Sequence, residues 1–199
     1  MSGSFPISSA KFQSLGIKSM QNTIISKSQS GKKLARQIDG QRFGFTARII
    51  TAKRSDVYGE LMAFIIKQRS QKENFTIIPP EVEDARGTAS GIPHGTASAG
   101  ATSITLGGTG TGTLLAGDFI KFANHDKIYM VVADQSDIST GSLTIEPPLT
   151  TAVSSSNITY DNVPFTVHLT NDMQEFGVVG ADKDGNVLYQ FEFDVEETL

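Results

Sequence analysis

The chain contains no cysteine, which excludes disulfides, thiol nucleophiles and thiolate metal sites together. It has three histidines, His94, His125 and His168, with no pair at helical or two-residue spacing, so any zinc site would need loops far apart in sequence. No apolar run approaches the roughly 18 residues of a membrane span. The opening "MSGSFPISSAKF" lacks the apolar centre of a signal peptide, so the expectation is a protein made and used without crossing a membrane. What remains is ordinary globular material: 199 residues, 38% hydrophobic with 12 Phe, enough to bury a core as one domain or as a domain carrying an insert.

Charge is short on one side in each half. Residues 1–86 hold 14 Lys and Arg against 7 Asp and Glu, a balance of +7, and residues 87–199 hold 3 against 14, a balance of −11. Such polarity suits contacts between copies of the chain, basic half to acidic half. The basic cluster "SGKKLARQIDGQR" could meet phosphates, but it lacks the interleaved aromatics of a single-strand reader, so direct nucleic-acid binding is not expected. Lys32, Lys33, Arg36 and Arg42 are instead the candidates for subunit contact.

Motifs that would carry chemistry fail on spacing. In "GTASAGATSITLGGTGTGTLLAGDFIKF" Gly112 and Gly117 have phosphate-loop separation, but Asp118 stands where a lysine is required, and Leu115 occupies the third glycine position of a dinucleotide fingerprint. "DKDGN" places Asp182, Asp184 and Asn186 like the start of a calcium loop, yet Val187 and Phe193 replace the needed Gly and Glu, leaving a hairpin turn. Ser98 lacks a nucleophile elbow, because Thr96 takes the first glycine position. No carboxylate pair is singled out. No catalytic residue, cofactor or metal is therefore expected, and "GGTGTG" reads as a loop tip between two short strands.

The pattern along the chain is mainly β. The first 36 residues read either as a disordered arm or as a lysine-guarded edge strand around "SMQNTIIS". "QRFGFTARII" alternates as a strand, with Phe43, Phe45, Ala47 and Ile49 on one face. One helix is expected at about 55–70, capped by Ser55 or Asp56, striped by Val57, Leu61 and Phe64 or Ile65, and closed by Lys67 and Arg69. "ENFTIIPPE" is a strand stopped at Pro79 and Pro80. From Gly87 onward short strands follow one another: "ATSITL", "DFIKF", "KIYMVVAD", "GSLTIEP", "SNITYD", "VPFTVHL", "QEFGVVG" and "VLYQFEFDVE". Ile104, Leu106, Phe119, Phe122, Ile128, Met130, Leu143 and Ile145 are expected to form a small separate core.

The order "GQRFGFTARI", "DVYGELMAFIIKQRSQ", "ENFTIIPPE" resembles the core of the distal tail proteins of tailed bacteriophages. "LLAGDFIKFANHDKIYMVVAD" with "GSLTIEPPL" resembles a small β-module of phage tail and baseplate proteins, and "NVPFTVHLTNDMQEF" the return into the core. The resemblance implies a β-sandwich or barrel core with one helix, formed by residues 1–86 and 163–199 and interrupted by a β-module at 87–162. It also implies a non-catalytic virion protein, a homo-hexameric ring joining the tail tube to the baseplate or tail tip. A head-to-tail connector or tail-terminator ring is the alternative within the virion, and a small cell-wall hydrolase the alternative of another class.

Overall fold

The computed structural model describes residues 3–7, 11–38 and 40–198. Its fold is mainly β with one α-helix, and it includes a closed barrel. The first half supplies β1 (Phe12–Met20), β2 (Thr23–Lys27), β3 (Lys33–Gln37), β4 (Arg42–Lys53), α1 (Gly59–Lys67) and β5 (Phe75–Ile77). Next come β6 (Pro93–Ala97), β7 (Ser103–Gly108), β8 (Phe119–Phe122), β9 (Ile128–Val131), β10 (Ser142–Glu146) and β11 (Val153–Thr159). The chain closes with β12 (Phe165–Leu169), β13 (Phe176–Ala181) and β14 (Val187–Glu197).

An antiparallel sheet runs β1-β4-β14-β12-β5, with β13 also on β14. Strand β14 is long enough to serve two partners along one edge: residues 187–191 pair with β13 and residues 195–197 with β12, while β4 holds the other edge. Period-two alternation fixes the register. Phe45, Ala47 and Ile49 lie opposite Val195, Phe193 and Phe191, all buried, whereas Thr46 and Arg48 lie opposite Asp194 and Glu192 on the other face. That outer face is a polar ladder. Lys18 donates to Asp194 at 3.0 Å, Arg42 to Glu196 at 2.8 Å, and Gln190 to Gln13 at 3.1 Å.

The inner face is covered by the helix. Val57, Leu61 and Ile65, four residues apart, are buried in the same cluster as the sheet residues, and the Tyr58 hydroxyl donates to the Ile50 carbonyl at 2.9 Å. The expected N-cap is absent: a π-helical turn over Arg54–Tyr58 precedes α1, neither turn has a side-chain cap at its N-terminus, and Ser55 donates to the neighbouring Asp56 carboxylate instead. Arg69, expected in the last turn, lies beyond it in a left-handed exit with φ 54°.

Strands β10-β7-β6-β11-β8-β9 close into a six-stranded barrel. Ile104, Leu106, Ile120, Phe122, Tyr129, Val131, Leu143 and Ile145 form part of its interior cluster. The expected separate core needs correction here, because Phe119, Ile128 and Met130 point out of the barrel and pack on the sheet cluster. The β8–β9 hairpin is a shared wall, so "DFIKF" and "KIYMVV" are apolar on both faces and do not reveal by alternation which face belongs to which core. Phe119 sits edge-on to Phe43 at 5.3 Å and 5.7 Å from Phe165, both on the sheet. Strand β6, "PHGTA", has too few large apolar residues to be read as a strand and was not expected.

Candidate assembly surfaces

Strands β1 and β4 are paired up to Met20 opposite Arg42, and the segment between them is drawn out into the β2–β3 hairpin. Its turn is built locally. The Ser28 carbonyl accepts from Gly31 N at 2.9 Å, the Ser28 hydroxyl accepts from Lys32 N at 3.1 Å, and Gly31 takes φ 80°, which a residue without Cβ adopts at little cost. All residues of both strands are exposed. One face carries Ile24, opposite Arg36, with Leu34; the other carries Ile25 opposite Ala35 and Lys27 opposite Lys33. Ile24, Ile25 and Leu34 are 57%, 55% and 52% exposed.

An isolated two-stranded hairpin is marginal in water, and like charges directly opposite one another weaken it further. This arm has no core of its own. It holds Lys27, Lys32, Lys33 and Arg36, and no acidic residue occurs between positions 20 and 38. Of the expected contact residues, the structure brings Lys32, Lys33 and Arg36 together on the arm. Arg42 is separate: it begins β4 and is held by Glu196 of its own chain.

A second exposed apolar surface lies on β13. Val178 and Val179 are 63% and 57% exposed, and Met173 beside them is also exposed. With Arg48, Glu175, Gln190 and Glu192 they line an open groove of about 490 Å³. Among the described residues β13 pairs only with β14, so its outer edge carries no partner strand.

The polar groups that could suggest chemistry are tied into structure. His125 is bonded through Nε2 to the Tyr129 hydroxyl and through Nδ1 to Asn124 Oδ1, each at 2.8 Å, and burial lowers its pKa from the ordinary histidine value. His168 meets the Thr198 hydroxyl at 3.1 Å, and His94 packs against Gly107 so closely that a Cβ there would come within 2.5 Å of its ring. Asp182 accepts from the Asp184 and Asn186 backbone and binds Lys53 at 2.6 Å, closing the β13–β14 turn; these bonds, the one to Lys53 foremost, hold its carboxyl well below the usual carboxylate range. Asp118 accepts from Arg86 N and Leu115 N. Among the described residues no group of three or more His, Asp or Glu side chains is placed to hold a metal ion.

"GGTGTG" is not a loop tip. Gly107 and Gly108 belong to β7 and pair with β6, and the segment beyond them packs along residues 88–92, where Ser90 and Thr111 exchange backbone hydrogen bonds. A Cβ on Gly112, at φ 85°, would stand 2.1 Å from the Thr88 carbonyl. The glycines are there for close backbone approach.

The largest buried polar feature joins barrel to sheet. Lys127 and Glu197 are both buried; Lys127 Nζ donates to Glu197 at 2.5 Å and to Gln41 at 3.1 Å, and lies over the Phe43 ring at 5.1 Å. Glu197 also accepts from Phe43 N at 3.0 Å and Ile128 N at 2.7 Å. The pair is not legible in the sequence, because 70 residues separate its members. No protein-family model and no curated protein matches the chain.

Proposed function

We propose that the chain is a structural virion protein, the subunit of a homo-hexameric ring in a bacteriophage tail that joins the tail tube to the baseplate or tail tip. It is made in the host cytoplasm and works in the virion, without catalysis. The observation that carries the reading is the basic β2–β3 arm, whose apolar residues face solvent on both sides and whose folding needs a surface that one subunit does not supply. The surplus of acid in the second half of the chain offers that surface on another copy. A contact between two different patches of identical subunits is head-to-tail, and when it closes it makes a ring. The resemblance of the strand–helix–strand order to distal tail proteins supplies the tail and the number six.

Negative-stain electron microscopy of the purified chain tests the reading, with six-fold rings expected. Uniform particles of single-subunit size at every concentration would overturn it. Clearing of a peptidoglycan zymogram would move the protein to the hydrolase class.

A further inference from the structure

We infer that the receptor for the arm is the β13 groove of the next subunit. The inference rests on the ring reading and names the surface that closes it. The arm leaves the sheet at the Met20–Arg42 end of the β1–β4 pair. Strand β13 lies diagonally across: it pairs with the part of β14 that faces Ile49–Lys53, on the edge away from β1. At about 3.3 Å per residue that is roughly 25–35 Å along β4 from the base of the arm. No residue of β2 or β3 lines the groove in its own chain. The two surfaces therefore meet only between copies, and their diagonal placement makes the contact head-to-tail.

Their chemistry is complementary. The arm brings Ile24, Ile25 and Leu34 with four cations and no acid, and the groove offers Val178, Val179 and Met173 with Glu175 and Glu192. The cation that lines the groove, Arg48, is engaged by Gln190 of its own chain and so does not oppose an incoming basic arm as a free charge would. The outer edge of β13 can add a strand, with main-chain bonds giving affinity and the valines and glutamates giving selectivity. Lys27 and Lys33, opposed on the arm, find counter-ions there.

The absence of cysteine allows a clean cross-linking test on the full chain. Ile25→Cys or Leu34→Cys is combined with Val178→Cys or Val179→Cys, covering both faces of the arm and both valines. Under oxidation at least one double variant gives a covalent ladder ending in a closed ring, while each single variant stops at dimers. A wild-type chain that forms rings while all four double variants fail to ladder overturns the β13 receptor and leaves the ring reading standing. A wild-type chain that never assembles overturns the ring reading itself, and this inference with it. Independently, Glu175→Lys with Glu192→Lys raises the concentration needed for assembly roughly tenfold or more, because like charges then face each other. Adding Lys33→Glu and Arg36→Glu to that chain restores it. Unchanged assembly of the glutamate-reversed chain contradicts the assigned surface.

Discussion

Replacing Glu197 by glutamine tests how the barrel is fastened to the sheet. The carboxylate is buried and accepts three hydrogen bonds, from Lys127 Nζ, Phe43 N and Ile128 N. Glu197→Gln leaves the Lys127 ammonium without its counter-ion inside the protein, a defect of about 3–5 kcal/mol. It also turns an amide N–H2 toward one of the donors. At about 2–4 °C per kcal/mol for a chain of this size, the melting temperature falls by about 6–20 °C. Adding Lys127→Met removes the stranded charge and leaves one unsatisfied backbone donor, worth about 1–3 kcal/mol, so the double variant is more stable than Glu197→Gln alone. The single variant is also pH-dependent. Burial, outweighing Glu197, already lowers the Lys127 pKa from the ordinary lysine value, and loss of Glu197 lowers it further. Between the folded and ordinary values the unfolded chain binds the extra proton, so the stability of Glu197→Gln rises with pH across that window. Calorimetry and urea melts of the unaltered chain, the single variant and the double variant decide the matter. A fall of less than about 2 °C for the single variant, or a double variant weaker than the single, would refute the reasoning.

Three further outcomes follow from the same structure. Gly112→Ala costs about 2–5 kcal/mol in denaturant melts, combining a left-handed backbone with a Cβ driven into the Thr88 carbonyl, whereas Gly185→Ala, also at positive φ but facing open space, costs only about 1–2 kcal/mol; equal costs would mean the close approach is absent. Asp182 and Asp194 are held below the ordinary carboxylate range, chiefly by Lys53 and by the Thr46 hydroxyl respectively, so their stabilisation is complete above about pH 4 and is lost as the pH falls through their folded values. Carboxyl NMR titration checks this, and ordinary midpoints would contradict it. Trypsin cuts isolated subunits at Lys32 and Lys33, where the exposed turn runs into β3, and spares assembled material; equal protection in both states would count against the arm's need for a neighbour.

Much of the fold was legible because one-sided burial writes itself into sequence. Strand β14 shows this best: Phe191, Phe193 and Val195 alternate with Gln190, Glu192 and Asp194, and the register with β4 repeats the pattern. The helix was legible from Val57, Leu61 and Ile65, but its start was not, since Ser55 and Asp56 bond to each other within a π-helical turn. Strands buried on both faces, such as β8 and β9, reveal that they are strands and conceal which core they serve. The arm reads ambiguously for the opposite reason: with no buried face, its Ile24, Ile25 and Leu34 form no pattern that separates a hairpin from a coil, and only Gly31 in "SQSG" hints at the turn. The basic cluster was visible, but its division was not. Lys32, Lys33 and Arg36 go to the arm, and Arg42 to Glu196, a partner 154 residues away.

The central claim is that the arm makes the ring, and native mass spectrometry of the chain with and without residues 23–37, bridged by a short glycine linker, tests it most directly. The account predicts a hexamer of the 21.3 kDa chain for the intact protein, and a folded monomer, melting as the intact subunit does, once the arm is removed. A hexamer that persists without the arm, or an intact chain that remains monomeric, would contradict it.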